Sequence, residues 1–215
     1  MDTRNVILSA AAQVFAQHGF RGSTTRRIAD AAAVNEVTIF RYFGSKELLL
    51  EEAIKGSAGQ SFPNPLPPKP IDPQKELTIW CSEVIEHIRS RRSLIRRCMG
   101  EMEERPQMTG CAAEAPVAAS NELSNYFRTL EREGFTIESF DARAAAVMLM
   151  ATLFHDAMGR EMMPTVYPKP ASKAPALYAS LTLRAIGVRS PLPEAMVSEG
   201  VDDRGIKNNL TSDTV

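Results

Sequence analysis

Residues 24–49 read TTRRIADAAAVNEVTIFRYFGSKELL, and this stretch decides the fold. Ile28, Ala29, Ala32, Val34, Ile39 and Phe43 recur at spacings that let two short helices, Thr25–Ala33 and Glu36–Phe43, close a small core. Ser23, Thr24 and Thr25 supply capping hydroxyls for the first helix, and Asn35 caps the second. Two helices joined by so tight a turn can lay the second in a DNA major groove while the first braces it across the backbone. With the apolar set inward, Arg26, Arg27, Asn35, Glu36, Thr38, Arg41, Tyr42 and Lys46 project outward. These basic, amide and hydroxyl groups are the types that bond phosphate oxygens and base edges. Free amides at the helix N-termini add a further attraction for phosphate.

Upstream, Ile7, Ala11, Val14, Phe15 and His18 form one stripe of a helix that Gly19 can terminate. Downstream, Gly44 and Ser45 break the pattern, and Ser45 can cap a third run from Lys46 to about Ser57. Residues 62–73 hold six prolines and cannot be helical, since each lacks an amide donor. Asp72-Pro73 then restarts a helix, as N-cap and first helical residue, that runs to about Arg89. Further helices are predicted over Ser90–Glu104, Cys111–Glu133, from an Asp141 cap to Arg160, and over Lys173–Ile186. Residues 190–215 have few large apolar side chains and read as a disordered tail. No alternation supports a sheet. The expected fold is all-α, about nine helices: an N-terminal helix-turn-helix domain over 1–55 and a helical body over 56–189.

Bulk composition narrows the function. Hydrophobic residues make up 44%, enough for a sizeable core, and the net charge is only −1. Its distribution is uneven: residues 1–46 carry six basic and three acidic side chains, leaving the remainder acidic. A basic head on an acidic body suits a polyanionic partner. Cys81, Cys98 and Cys111 are odd in number and lack C-x-x-C spacing, which points to a reducing, cytoplasmic setting without a disulfide framework or zinc site. There is no apolar leader, and the longest apolar run, residues 144–154, falls well short of the roughly 20 residues that span a membrane.

The stretch quoted above resembles the signature of the TetR family of transcriptional regulators, roughly T-T-x-x-I-A-x-x-A-G-V-S-x-G-T-L-Y-x-Y-F-x-S-K-E-x-L. The likeness includes the preceding helix, with Ala11, Phe15 and Gly19-Phe20, and covers about the first 55 residues. It implies that Thr25 and Arg26 contact phosphates from the bracing helix. Asn35, Glu36, Val37, Thr38 and Arg41 would lie on or beside the groove face, Tyr42 would bond a phosphate through its hydroxyl, and Lys46 would bind another. Three positions depart from the pattern. Ala33 stands where Gly is usual, Val37 replaces a common Gly and could meet a thymine methyl, and Phe40 replaces Tyr and loses a hydroxyl.

For the body, the resemblance implies that the last two long helices pair with their twins in a homodimer. Ala142, Ala144, Ala145, Ala146 and Ala151 would permit close approach, with Leu149, Leu153, Leu177, Leu181 and Leu183 as apolar bulk. Such proteins usually hold an effector pocket, for which Trp80, Met99, Met102, Tyr126, Phe127, Met148, Phe154 and His155 are the candidates; the same stripe could equally be core. Arg89, Arg91, Arg92, Arg96 and Arg97 read as a solvated or salt-bridged face, with anion binding as the alternative, and His87 as a satisfied helix histidine.

Enzyme readings find no support. A helical di-iron site needs Glu three residues before His, but Phe15, Val84 and Thr152 precede His18, His87 and His155. No phosphate loop, nucleophile elbow or zinc-protease motif is present. The expectation is therefore a regulator, with repression the commoner outcome, whose partners are double-stranded operator DNA, a second copy and an unknown small effector. It would have no cofactor, metal or membrane partner. The rival is a helical adaptor whose head no longer binds DNA.

Overall fold

The computed structural model describes residues 2–58, 65–106 and 113–188. Among them run nine α-helices, one short 3-10 turn and no strand beyond an isolated antiparallel bridge between Thr136 and Val188. Helix α1, Thr3–Gly22, starts on Asp2, whose carboxylate accepts the Arg4 amide. It buries Ile7, Ala11, Val14 and Phe15 as expected. Gly19 ends its regular part as expected, since its backbone (φ 67°, ψ −174°) is not helical, and a short further turn follows to Gly22. His18 is a correction: it is exposed, with its Cβ beside Gly22 instead of in the core.

Helices α2 (Thr25–Ala32) and α3 (Glu36–Phe43) follow, each fixed by a local cap. The Thr24 hydroxyl accepts the Arg27 amide, and the Asn35 side chain accepts that of Val37. Ala33 adopts the left-handed conformation (φ 53°, ψ 43°), and the Val34 amide returns to the Ala29 carbonyl at 3.0 Å. This is the helix-ending geometry that normally selects glycine. The Ser45 hydroxyl then accepts the Leu48 amide and opens α4, Lys46–Ala58. Phe15, Ile28, Ile39, Phe43, Leu49, Leu50 and Ile54 interlock as the head's core.

In the body, α5 (Pro73–Ser90) begins on Asp72 and Pro73 as the sequence indicates. Glu76 reaches back to accept the amides of Ile71 and Asp72, and its other oxygen accepts the Tyr126 hydroxyl at 2.6 Å. Helix α6 is shorter than expected, Arg92–Glu101, because Arg91 leaves helical geometry (φ −110°, ψ 9°) and residues 102–104 form a turn. Helices α7 (Glu114–Arg132), α8 (Ala142–Gly159) and α9 (Ala174–Ala185) complete the fold. The expected start of α7 at Cys111, residues 59–64 of the proline-rich linker, and the tail expected over 190–215 lie outside the described residues.

Two hydrophobic cores result. That of the body joins α5, α7, α8 and α9 through Leu77, Trp80, Val84, Leu123, Phe127, Leu149, Leu153 and Leu183. The head's core is not closed by the head alone: Leu94 and Cys98 of α6 pack into it. No described helix is long and apolar enough to cross a membrane.

The body also encloses a charge. Asp156 on α8 is fully buried. Its carboxylate accepts from Arg89 of α5 at 2.9 Å, from Tyr178 of α9 at 2.7 Å, and from Nε of Arg160 at 2.7 Å. One acid thus ties three helices together. Burial alone would raise its pKa, but the bonds from Arg160 and Tyr178 and the charges of Arg160 and Arg89 outweigh it. The carboxyl therefore titrates below its ordinary value. A depressed folded pKa gives stability that is complete above the unfolded carboxyl's pKa, about 4, and is lost as pH falls through the folded value.

Asp156→Ala strands two guanidinium groups and is expected to cost about 3 kcal/mol. Urea unfolding across pH 3–7 would show this together with a flatter acid limb; wild-type stability would deny the network any structural role. Ala33→Gly acts in the opposite direction. It removes the left-handed strain, about 1–2 kcal/mol, against about 0.4–1 kcal/mol of added unfolded-state entropy. A net gain of up to about 1 kcal/mol is expected by thermal unfolding, and a loss would mean that the Ala33 methyl makes a compensating contact.

Candidate nucleic-acid interface

The caps that start α2, α3 and α4 set the outer face of the head. Val37 is 72% exposed and Phe40 48% exposed, on the same helix as Ile39 and Phe43, which are buried. Arg41 is exposed, with its guanidinium 5.4 Å from the Tyr42 ring, and Tyr42 is 40% exposed. Arg26 is exposed on α2. Thr38 is half-buried; its amide donates to the Asn35 carbonyl. The Asn35 side-chain oxygen caps α3 by accepting the Val37 amide, and its NH2 keeps two donor protons.

Two candidates are engaged within the protein. The Thr25 hydroxyl donates to the Glu36 carboxylate, joining the first turns of α2 and α3. Its proton cannot serve a phosphate unless Glu36 turns away. Lys46 Nζ donates to the Phe20 carbonyl at 3.2 Å and lies 3.9 Å from the Phe20 ring. An ammonium has three donor protons, so this bond leaves the group its capacity for a second acceptor.

Phe20 is itself a junction between head and body. Its amide donates to Glu101 at the end of α6, Glu101 pairs with Arg105 at 2.6 Å, and Arg105 lies 4.2 Å from the Phe20 ring. Lys46 and Arg105 thus both contact one aromatic ring, one from the head and one from the body. Gly19 permits the approach: a Cβ there would stand 2.8 Å from the Glu101 carboxylate.

Behind α6 lies a cavity of about 270 Å³ between α5, α6, α7 and α8. Of the eight candidate effector contacts, it takes Met99, Met102 and Phe154. Trp80, Tyr126 and Phe127 belong to the body's core, packed with Leu149, Leu153 and Leu183 of the last two helices. Met148 is 66% exposed, and His155 lies on another surface hollow, near Tyr167. Residues not expected at an effector site line more of the wall, among them Ile88, Ile95, Met150, and at one end His87 and Arg91. A signal was present, since His87 and Arg91 stand four apart in line with Leu94, Cys98 and Met102.

The arginine cluster is salt-bridged in part and otherwise bonded to backbone carbonyls. Arg89 pairs with Asp156 and Arg92 with Glu161 at 2.6 Å, while Arg96 and Arg97 bond the carbonyls of Met158 and Gln17. Arg91 bonds the carbonyl of Ser57 in α4 at 2.8 Å.

The apolar residues of the last two helices divide between two sides. Ala142, Ala145, Ala146, Leu149, Leu153 and Leu183, expected between subunits, fill the body's own core. Ala144, Val147, Met148 and Ala151 of α8 and Leu177 and Leu181 of α9 face outward instead. Among the described residues, no group of acidic, cysteine and histidine side chains could hold a metal ion.

Comparison with known proteins agrees with this geometry. Residues 7–53 match the family model described as bacterial regulatory proteins, tetR family. The chain is 28% identical over 147 residues to the uncharacterized HTH-type transcriptional regulator YvkB of Bacillus subtilis, covering 68% of this chain and 77% of that one. It is 40% identical over 53 residues to the HTH-type transcriptional repressor KstR2 of Rhodococcus jostii, a match confined to 25% of this chain and 26% of that one. In fold it is similar to the fatty acid degradation regulator FadR of Bacillus halodurans, with a TM-score of 0.66 and 21% identity over 88% of this chain and 98% of that one. Motif, relatives and whole-chain architecture converge: residues 7–53 match the TetR-family model, and the chain as a whole has the fold of the TetR-type transcriptional regulators it resembles.

Proposed function

We propose that this protein is a repressor that binds a palindromic operator as a homodimer and leaves it when a small molecule occupies the cavity behind α6. The outer face of α3 carries the reading. Val37, Phe40, Arg41 and Tyr42 stand exposed on one short helix, although apolar side chains of this size gain by burial. A major groove supplies what they lack: thymine methyls for Val37, base edges or phosphate for Arg41, and phosphate for Tyr42 and Lys46. Residues 1–55 act as the DNA-reading unit and residues 56–189 as the effector and dimerisation unit.

One head reads too few base pairs for useful specificity, and a two-fold pair reads a palindrome with half-sites about 34 Å apart. The outward apolar row of Val147, Met148, Leu177 and Leu181 is the surface that pairs with its twin. Coupling follows from α6, because Leu94 and Cys98 both line the cavity and belong to the head's core. A ligand preferring a shifted α6 weakens operator binding by its difference in affinity for the two arrangements. The KstR2 relative of Rhodococcus jostii is a repressor, which supports the sign of regulation.

Selection from a randomised duplex pool, followed by affinity at two salt concentrations, tests the DNA reading. A palindrome bound with a steep salt slope is expected; a folded protein that enriches no sequence and shows no salt dependence would remove the proposal in favour of a non-DNA adaptor. On the selected site, Arg41→Ala is expected to weaken binding about tenfold with relaxed base preference. Lys46→Ala should lower affinity for all sequences and reduce the salt slope by about one. Sedimentation tests the dimer: Met148→Glu with Leu181→Glu is expected to yield helical monomers with little operator affinity. A dimer that survives both changes places the interface elsewhere.

A further inference from the structure

The cavity behind α6 combines two features that call for one kind of ligand. Its walls are apolar and adaptable, with Met99, Met102, Met150, Ile95 and Phe154. Its one charged side chain among the described lining residues is Arg91. Beside it stands His87, whose Nδ1 is 3.3 Å from the guanidinium. Burial and the Arg91 charge both lower the His87 pKa, so the ring is neutral at neutral pH and adds no second cation. A guanidinium keeps its charge even when partly desolvated, and it matches a carboxylate with two parallel N–H bonds.

The same guanidinium reaches the helix that carries the head. Nε of Arg91 donates to the Ser57 carbonyl, near the end of α4, at 2.8 Å. Arg91 is thus the corner at which the cavity, the α5–α6 junction and α4 meet.

We propose that the cavity takes a small carboxylate-headed amphiphile, its acid on Arg91 and its apolar body along Met99, Met150 and Phe154, and that engaging Arg91 loosens the Arg91–Ser57 tie to α4. This rests on reading the cavity as the effector site and adds the ligand's chemical class and the residue that senses it. The apolar walls exclude strongly hydrated polyanions, which would have to shed water that one guanidinium cannot replace. A cationic amphiphile of equal length would meet Arg91 with like charge. The volume, about 270 Å³, sits just under the usual range for drug-sized ligands and favours a medium-length chain.

Calorimetry on the DNA-free full chain, with octanoate, 1-octanol and octylamine, tests the ligand class. Octanoate is expected to bind at least about tenfold more tightly than the alcohol, and the amine more weakly than either. Arg91→Gln should bring octanoate down to the alcohol's affinity while leaving the alcohol unchanged, and Arg91→Lys should restore part of the preference. Met150→Trp, which fills the cavity and leaves Arg91 in place, should abolish binding of both. Equal affinities for acid and alcohol, or octanoate binding that survives Met150→Trp, would overturn the proposal.

Release of the selected operator by octanoate from the wild type but not from Arg91→Gln is the outcome expected for the sensing step. Octanoate binding without release would overturn that step. Operator affinity without ligand is measured in the same titration, so failure of the DNA-binding reading itself is seen separately.

Discussion

Helix α6 has apolar side chains on more than one side, and the arrangement of the molecule follows from what each side meets. Leu94 and Cys98 complete the head's core against α1, while Ile95, Met99 and Phe154 of the facing α8 border the cavity. Deleting large buried aliphatic groups typically costs 2–5 kcal/mol, so the head is held to the body by more than its linker. A helix shared in this way cannot shift on one side without disturbing the other. Under the proposed function, that constraint is how an occupied hollow would reach the head.

Polar contacts sharpen what the shared helix begins. Phe20 receives Lys46 from the head and Arg105 from the body, while Glu101 holds its amide. Arg91 joins α4 to the α5–α6 corner through Ser57. These contacts are individually modest, being partly exposed, and charge-assisted bonds of this kind exchange partners more readily than packed apolar groups. The buried Asp156 network has the opposite character. It ties α5, α8 and α9 together at one fully buried carboxylate.

The head meets a different demand. Its core is small, so α2, α3 and α4 depend on their caps, and Thr24, Asn35 and Ser45 each satisfy an amide that would otherwise lack a partner. Those caps free α3 to spend Val37, Phe40, Arg41 and Tyr42 on its outer surface. Ala33 marks where economy was not reached, since its left-handed backbone would suit glycine better.

The sequence by itself determined the helices, their capped starts and the head's motif. All of these are local: an Asn or Asp bonds an amide two or three residues on, a proline removes one, and apolar periodicity marks one face of one helix. It could not assign a partner to each face. Leu149 and Leu153 look interchangeable with Leu177 and Leu181 in composition, yet the first pair is buried in the chain's own core and the second faces outward. Five arginines within nine residues read as one basic face, and tertiary structure sent them to Asp156, Ser57, Glu161, Met158 and Gln17. The cavity was decided there too. Its walls come from four helices and bring Met150 and Phe154 of α8 against residues 87–116, so Trp80 and Phe127 went to the core while Arg91 and Met150 came to line the hollow, a division set by helix packing and carried by no short motif.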